Sequence, residues 1–128
     1  MDISQDEVEL RDGVTRTYSV EKDQVKFFKF VVPEGKKEMM VNLYTENNEG
    51  VMGLIRYGGG VPRWDRHHWA VTSWGTDEEV ISKANYPNYF RGTKGDSIAG
   101  VYRILVYAFE EAKFSIVATA FNKRVFQL

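Results

Sequence analysis

The chain has 128 residues, of which 43% are hydrophobic, 27% charged and 14% aromatic, with a formal net charge of -1 and no cysteine. That is one domain's worth of sequence, with enough apolar content for a single core. The charge balance gives no field for nucleic acid or an anionic membrane, the missing cysteines exclude disulfides and thiolate chemistry, and no apolar run reaches the ~20 residues of a membrane helix.

The opening MDISQDEVEL has neither a basic start nor an apolar core, so no signal peptide is visible. Residues 1–7 read as a flexible or linker segment ahead of a single domain, 1–128 as a whole. Val8 and Leu10 alternate with polar neighbours, and Asp12-Gly13 marks a turn. Residues 15–20 (TRTYSV) read as an edge strand with Tyr18 and Val20 on one face. After the charged turn Glu21-Lys22-Asp23, residues 25–32 place Phe28, Phe30 and Val32 on one side. Pro33 and Gly35 end that strand, because proline donates no ladder hydrogen bond.

Residues 37–45 follow, with Met39, Val41 and Leu43 inward, then a turn at 47–50 and a returning strand at 51–57. Gly58-Gly59-Gly60 and Pro62 break it. In 64–74 (WDRHHWAVTSW) the second half is compatible with a strand carrying Trp69, Val71 and Ser73 on one face. A short strand is expected at 78–84. Residues 85–97 form a long loop, a kind often functional or mobile. The stretch 100–109 (GVYRILVYAF) is apolar on both faces, which suits a strand inside a sheet. It is expected to form an antiparallel hairpin with 113–121, and 124–128 to add a terminal strand or tail. No helical period of useful length occurs. Eight or nine short strands joined by turns predict an all-β, antiparallel β-sandwich of jelly-roll type.

The order of these motifs resembles the bacterial pre-peptidase C-terminal domain family and the similar collagen-binding domains of clostridial collagenases. The resemblance rests on 24–30 with Pro33 and Gly35, the apolar 39–43, Leu54-Ile55-Arg56-Tyr57-Gly58 followed by Val61-Pro62, the acids Asp65 and Glu79, and Gly100-Val101-Tyr102. It covers residues 8–120. Two departures stand out: Gly53 occupies a place where the family often has aspartate, and the 85–97 loop is longer than usual. The resemblance implies a non-catalytic accessory domain of a peptidase, for docking, targeting or solubility, and favours a secreted or extracellular setting. Calcium is the one cofactor it brings in, with Asp2, Asp6 and Glu7 as candidate ligands; the residues by themselves imply no cofactor.

Candidates for chemistry are few. His67 and His68 are the only histidines. Adjacent strand residues face opposite ways, so they match neither a triad nor the one-face spacing of zinc ligands. Asn47, Asn48 and Glu49 suit an Asx-rich turn better than a calcium loop. Aromatics offer more. Trp64, Trp69 and Trp74, with Tyr57, Tyr86, Tyr89 and Phe90, crowd the loop-rich half, where rings and guanidiniums stack on peptide or sugar. Trp69 and Trp74 read as core plugs and Trp64 as exposed. The candidate ligand-binding residues are Trp64, Arg66, His68, Tyr57, Tyr89 and Arg91. The expected partner is a protein or glycan ligand, or a parent peptidase domain. Alternatives are a calpain-type or C2-like regulatory sandwich binding calcium or membrane, and a small stand-alone hydrolase. An exposed edge strand offers a route to pairing two copies.

Overall fold

The computed structural model describes residues 7–47, 50–75, 77–90 and 92–122. Its nine strands are β1 (Val8–Glu9), β2 (Arg16–Val20), β3 (Val25–Val32), β4 (Glu38–Thr45), β5 (Val51–Tyr57), β6 (Trp69–Thr72), β7 (Glu78–Ser82), β8 (Gly100–Ala108) and β9 (Ala112–Phe121). The one helical piece among the described residues is a single 3-10 turn, Pro87–Tyr89.

The strands form two sheets. One runs in the order β1-β3-β8-β5-β6, the other β2-β9-β4-β7. The antiparallel pairs β2·β9, β3·β8, β4·β7 and β5·β6 are nested in the sequence. A long ribbon has in effect been folded in half and wrapped, which is the jelly-roll arrangement. β1 is the exception, because it lies parallel to β3.

Period-two patterning explains the strand faces. On β3, Phe28, Phe30 and Val32 face inward and are at most 2% exposed. On β8, Tyr102, Ile104, Val106 and Ala108 do the same, and the register sets Phe28 opposite Ile104 and Phe30 opposite Tyr102. The second sheet answers with Met39, Val41 and Leu43 from β4 and Phe114, Ile116 and Ala118 from β9, all at 0% exposure. Each large apolar side chain buried this way contributes about 1.5–3 kcal/mol, before the entropy of ordering it is counted.

β8 sits at the centre of its sheet, as its two apolar faces foretold. It does not form a hairpin with β9. The backbone N–H of Phe109 donates to the Gly50 carbonyl at 2.7 Å, and that of Asp23 to the Ala108 carbonyl at 2.7 Å, so the end of β8 stays tied to its own sheet. Ala112 already pairs with Val20 in the other sheet. The three residues between them cross from one layer to the other.

Gly53 has a steric reason. A Cβ there would lie 2.9 Å from Val71 Cγ2, in the core, so any larger residue, aspartate included, requires Val71 to shift. The 85–97 loop is packed down rather than loose. Phe90 and Ile98 are fully buried, and Lys83 Nζ donates to the carbonyls of Thr93 at 3.2 Å and Gly95 at 2.7 Å and to Thr93 Oγ1 at 3.2 Å. The proposed terminal strand at 124–128 lies outside the described residues, as do residues 1–6 of the linker segment.

Candidate binding surface

The register places the 21–24 and 109–111 turns, the end of β4 at Thr45 with the start of β5 at Val51, and the end of β6 at Thr72 at one end of the sandwich. The opposite end carries the 33–37 turn, the start of the 58–68 loop and the 83–99 segment. The aromatics sort into two groups, and the groups differ in kind.

The first group closes the far end of the core. Trp69 is 4% exposed, and its ring centroid lies 5.4 Å from Tyr86, 5.4 Å from Tyr89, 6.2 Å from Phe90 and 6.1 Å from Tyr102. Tyr57 packs edge-on against Phe90 at 4.9 Å and donates its hydroxyl to the Ala99 carbonyl at 2.7 Å. Tyr102 donates to the Ile98 carbonyl at 2.6 Å, and burial drives its pKa strongly upward. The Tyr86 hydroxyl donates to Glu79, and that bond with burial lifts its pKa to about 12. These phenols are structural donors, held neutral.

His68 belongs to the same end. Its Nδ1 accepts the backbone N–H of Tyr57 at 2.9 Å, and its ring lies 4.8 Å from Tyr89. Burial holds its pKa below the ordinary range, with Arg56 and His67 adding to the effect. His67 Nδ1 donates to the Arg63 carbonyl at 3.0 Å. Both imidazoles are thus engaged with main-chain groups.

The second group lies on the outer face of the five-stranded sheet. Trp64 is 58% exposed, Trp74 52% and Phe109 38%, which is far more than rings of that size expose by default. Trp64 meets Tyr107 at 6.2 Å and Phe109 at 6.3 Å, Trp74 meets Phe109 at 5.6 Å, and Tyr107 meets Phe109 at 4.9 Å. The four rings form one continuous platform. A shallow hollow of about 380 Å³ opens beside it, lined by Gly50, Trp74, Phe109 and Glu110.

The 58–68 loop carries Trp64 to this platform across the sheet. Arg56 and Arg103 are opposite each other on the outer face of β5 and β8. Arg56 Nη1 donates to the Val61 carbonyl at 3.0 Å, and Arg103 Nη1 donates to the Gly59 carbonyl. A reciprocal pair of 3.0 Å backbone bonds between Arg63 and Arg66 then closes a tight turn around Trp64 and Asp65. Leu54 faces outward between these elements, yet it is 1% exposed and separate from the inner core.

The six residues singled out in the sequence are therefore not all together. Tyr57, His68 and Tyr89 adjoin one another at the far end. Trp64 stands on the platform, Arg66 is exposed in the loop that carries it, and Arg91 lies outside the described residues. Trp74 departs from the expectation of a core plug. It falls two residues past the end of β6, beyond the alternation that buries Trp69, Val71 and Ser73, and projects beside Phe109. Tyr107 and Phe109 went unnoticed as surface residues. Their signal was present, since a central strand with apolar residues on both faces has one face left to cover.

Of the calcium candidates, Asp2 and Asp6 lie outside the described residues. The Glu7 carboxylate accepts from Arg103 Nε at 2.7 Å, a half-buried ion pair that already neutralises it. Among the described residues no three His, Asp or Glu side chains converge as a metal set, and no helix is long and apolar enough to cross a membrane.

No family model and no curated protein matches the sequence. Solved structures do match the fold. The pre-peptidase C-terminal domain of a collagenase from Bacillus anthracis superposes with a TM-score of 0.62 at 12% identity, over 88% of this chain and 94% of that one. A periplasmic inhibitor of g-type lysozyme from Aeromonas hydrophila gives 0.64 at 13% identity, over 89% and 95%. The mitogen from Yersinia pseudotuberculosis gives 0.56 at 10% identity, over 92% and 93%. The architecture is that of the pre-peptidase C-terminal domain and of these small sandwiches. Likeness at this level of identity is a likeness of fold.

Proposed function

We propose that this jelly-roll sandwich is a non-catalytic interaction domain that docks a protein ligand, in the manner of an accessory domain serving a peptidase. The observation that carries this reading is the platform of Trp64, Tyr107, Phe109 and Trp74. Four rings linked through Tyr107 and Phe109 supply contact area at low entropic cost, which is how proteins hold polypeptides and glycans. The two histidines are occupied with backbone groups, and the buried phenols are structural donors, so the reading needs no reactive centre.

The fold neighbours lend support. One such fold is appended to a collagenase, and another is an inhibitor of a lysozyme, a protein partner. A secreted or periplasmic setting goes with this reading. A glycan is the competing ligand class for the same rings. Calcium has less support, since Glu7 is already paired with Arg103.

The test is a binding panel by calorimetry: a collagen-like triple-helical peptide, gelatin, and cello- and chito-oligosaccharides. Wild type is compared with the double variant Trp64→Ala/Trp74→Ala, whose rings are exposed and whose loss leaves the core intact. Saturable binding of a polypeptide probe, weakened at least tenfold in the double variant, supports the proposal. Binding confined to the sugars reassigns the ligand class. Identical behaviour of the two proteins across the panel overturns the platform as the docking surface.

A further inference from the structure

The platform has a polar end, and its chemistry narrows the ligand. The hollow at that end is walled by the rings of Trp74 and Phe109, and Glu110 is the one charged group among the described residues that line it. A second carboxylate stands close by: Asp23 accepts the hydroxyl proton of Tyr107, whose ring lies 4.9 Å from Phe109. That bond, rather than burial, is the main reason the Tyr107 pKa lies above its ordinary value. A phenol donating to a carboxylate carries more electron density on its ring. Aromatic faces attract cations through their quadrupole, and a carboxylate at the rim adds a charge-assisted hydrogen bond.

We infer that the hollow beside Trp74, Phe109 and Glu110 is an anchor pocket for a basic side chain, lysine or arginine, presented by a protein partner. The inference rests on the docking reading and specifies its anchor. A volume of about 380 Å³ takes an ammonium or guanidinium head and part of its stem. The opposite end of the platform is different, because the turn that carries Trp64 holds exposed Arg63, Asp65 and Arg66, a net charge of +1 from two arginines and one aspartate. That turn offers a cation a mixed set of charges, whereas the hollow offers it the carboxylate of Glu110 alone. The partner therefore sets its basic residue against Gly50 and the 109–111 turn, with the rest of its contact running along the rings toward Trp64.

The experiment is an NMR titration of the indole N–H signals of the full chain with Nα-acetyl-lysine amide. Nα-acetyl-norleucine amide serves as the neutral isostere. The Trp74 signal is expected to shift saturably with the lysine probe, to shift at least several-fold less with norleucine, and to lose most of its response in Glu110→Gln. Raising the salt should weaken the lysine response. Glu110 is exposed in a turn, so the variant is expected to fold; its unchanged core signals verify this. Equal shifts with both probes, or an unaltered response in Glu110→Gln, overturn the cationic anchor while leaving an aromatic docking surface in place. No response to either probe also overturns the anchor. If polypeptide binding in the calorimetric panel then proves indifferent to Trp64 and Trp74, the docking reading falls with it.

Discussion

The imidazole of His68 accepts the backbone N–H of Tyr57 through Nδ1 at 2.9 Å, so the ring that opens β6 continues the ladder that β5 can no longer extend. This bond exists only while Nδ1 is unprotonated. The folded ring has its pKa below the ordinary 6.5, chiefly through burial. In the window below 6.5 the unfolded chain binds a proton that the folded chain refuses. Stability is therefore intact above 6.5 and declines as the pH falls through that value toward the folded pKa. Urea unfolding at pH 7.5 and 5.5 should show a lower midpoint at 5.5, and His68→Gln, which keeps an acceptor, should flatten the difference. An acid sensitivity unchanged in the variant would place its origin elsewhere. His68→Ala leaves the N–H without its partner and should cost about 1–3 kcal/mol at neutral pH.

A second expectation concerns Gly100, where β8 begins. Its φ is +144°, and an added Cβ would lie 2.7 Å from Tyr57 Cε1. Gly100→Ala should lower stability by about 1–3 kcal/mol through strain and overpacking, read as a lower denaturation midpoint. Tyr57 is fixed by its hydroxyl bond to Ala99, so it has little room to yield. Combining the change with Tyr57→Leu should recover part of the loss. Equal losses in the single and double variants would show that backbone conformation alone is responsible.

Lys83 supports a third. Its ammonium meets three acceptors from Thr93 and Gly95, and the loop they belong to also carries the core residues Phe90 and Ile98. Lys83→Met removes the donor and keeps most of the stem. Amide exchange should speed up at Thr93 and Ser97, whose N–H groups bond within the loop, and stay slow along β8. Uniform acceleration over the whole chain would mean that the clamp supports the fold rather than the loop.

Much of this fold could be read from alternation, and the reasons it could not all be read are specific. The run that puts Phe28, Phe30 and Val32 inward states its own faces, because successive strand residues point oppositely. Gly100 through Ala108, apolar on both sides, states that it is central. Alternation says which face a residue takes but not which strand lies beside it. A connection of three residues suits a hairpin, yet here it crosses between layers, since β5 and β3 already hold both edges of β8. The same gap hid the platform. Trp64 and Trp74 are separated by the whole of β6, and Tyr107 and Phe109 lie over thirty residues further on; only the pairing of β5 with β8 brings them together. Hydrophobicity alone did not distinguish Trp69 from Trp74, because the strand ends between them at Thr72.

The arginine pair gives the most searching expectation. Arg56 and Arg103 hold the carbonyls of Val61 and Gly59 in the loop that carries Trp64 to Tyr107. Arg103 is shared with Glu7, so that ion pair also steadies the latch. Glycines at 58, 59 and 60 give the loop many alternative conformations, and each bond that fixes it must offset that entropy. Arg103→Met keeps the stem over the sheet and removes the donors. The nuclear Overhauser contact between the rings of Trp64 and Tyr107 should weaken or vanish, while contacts of Trp69 with Tyr102, buried on the inner side, persist. Global stability should fall by only about 1–3 kcal/mol, the cost of leaving half-buried acceptors without a charged donor. Ligand affinity should drop as it does in Trp64→Ala, although every ring is still present, because a ring that is no longer held in place must be ordered again on binding. An Arg103→Met protein that keeps the Trp64–Tyr107 contact would show that ring packing alone positions the loop. One that loses the contact yet binds as well as wild type would remove Trp64 from the docking surface and leave Trp74, Phe109 and Tyr107 to carry it.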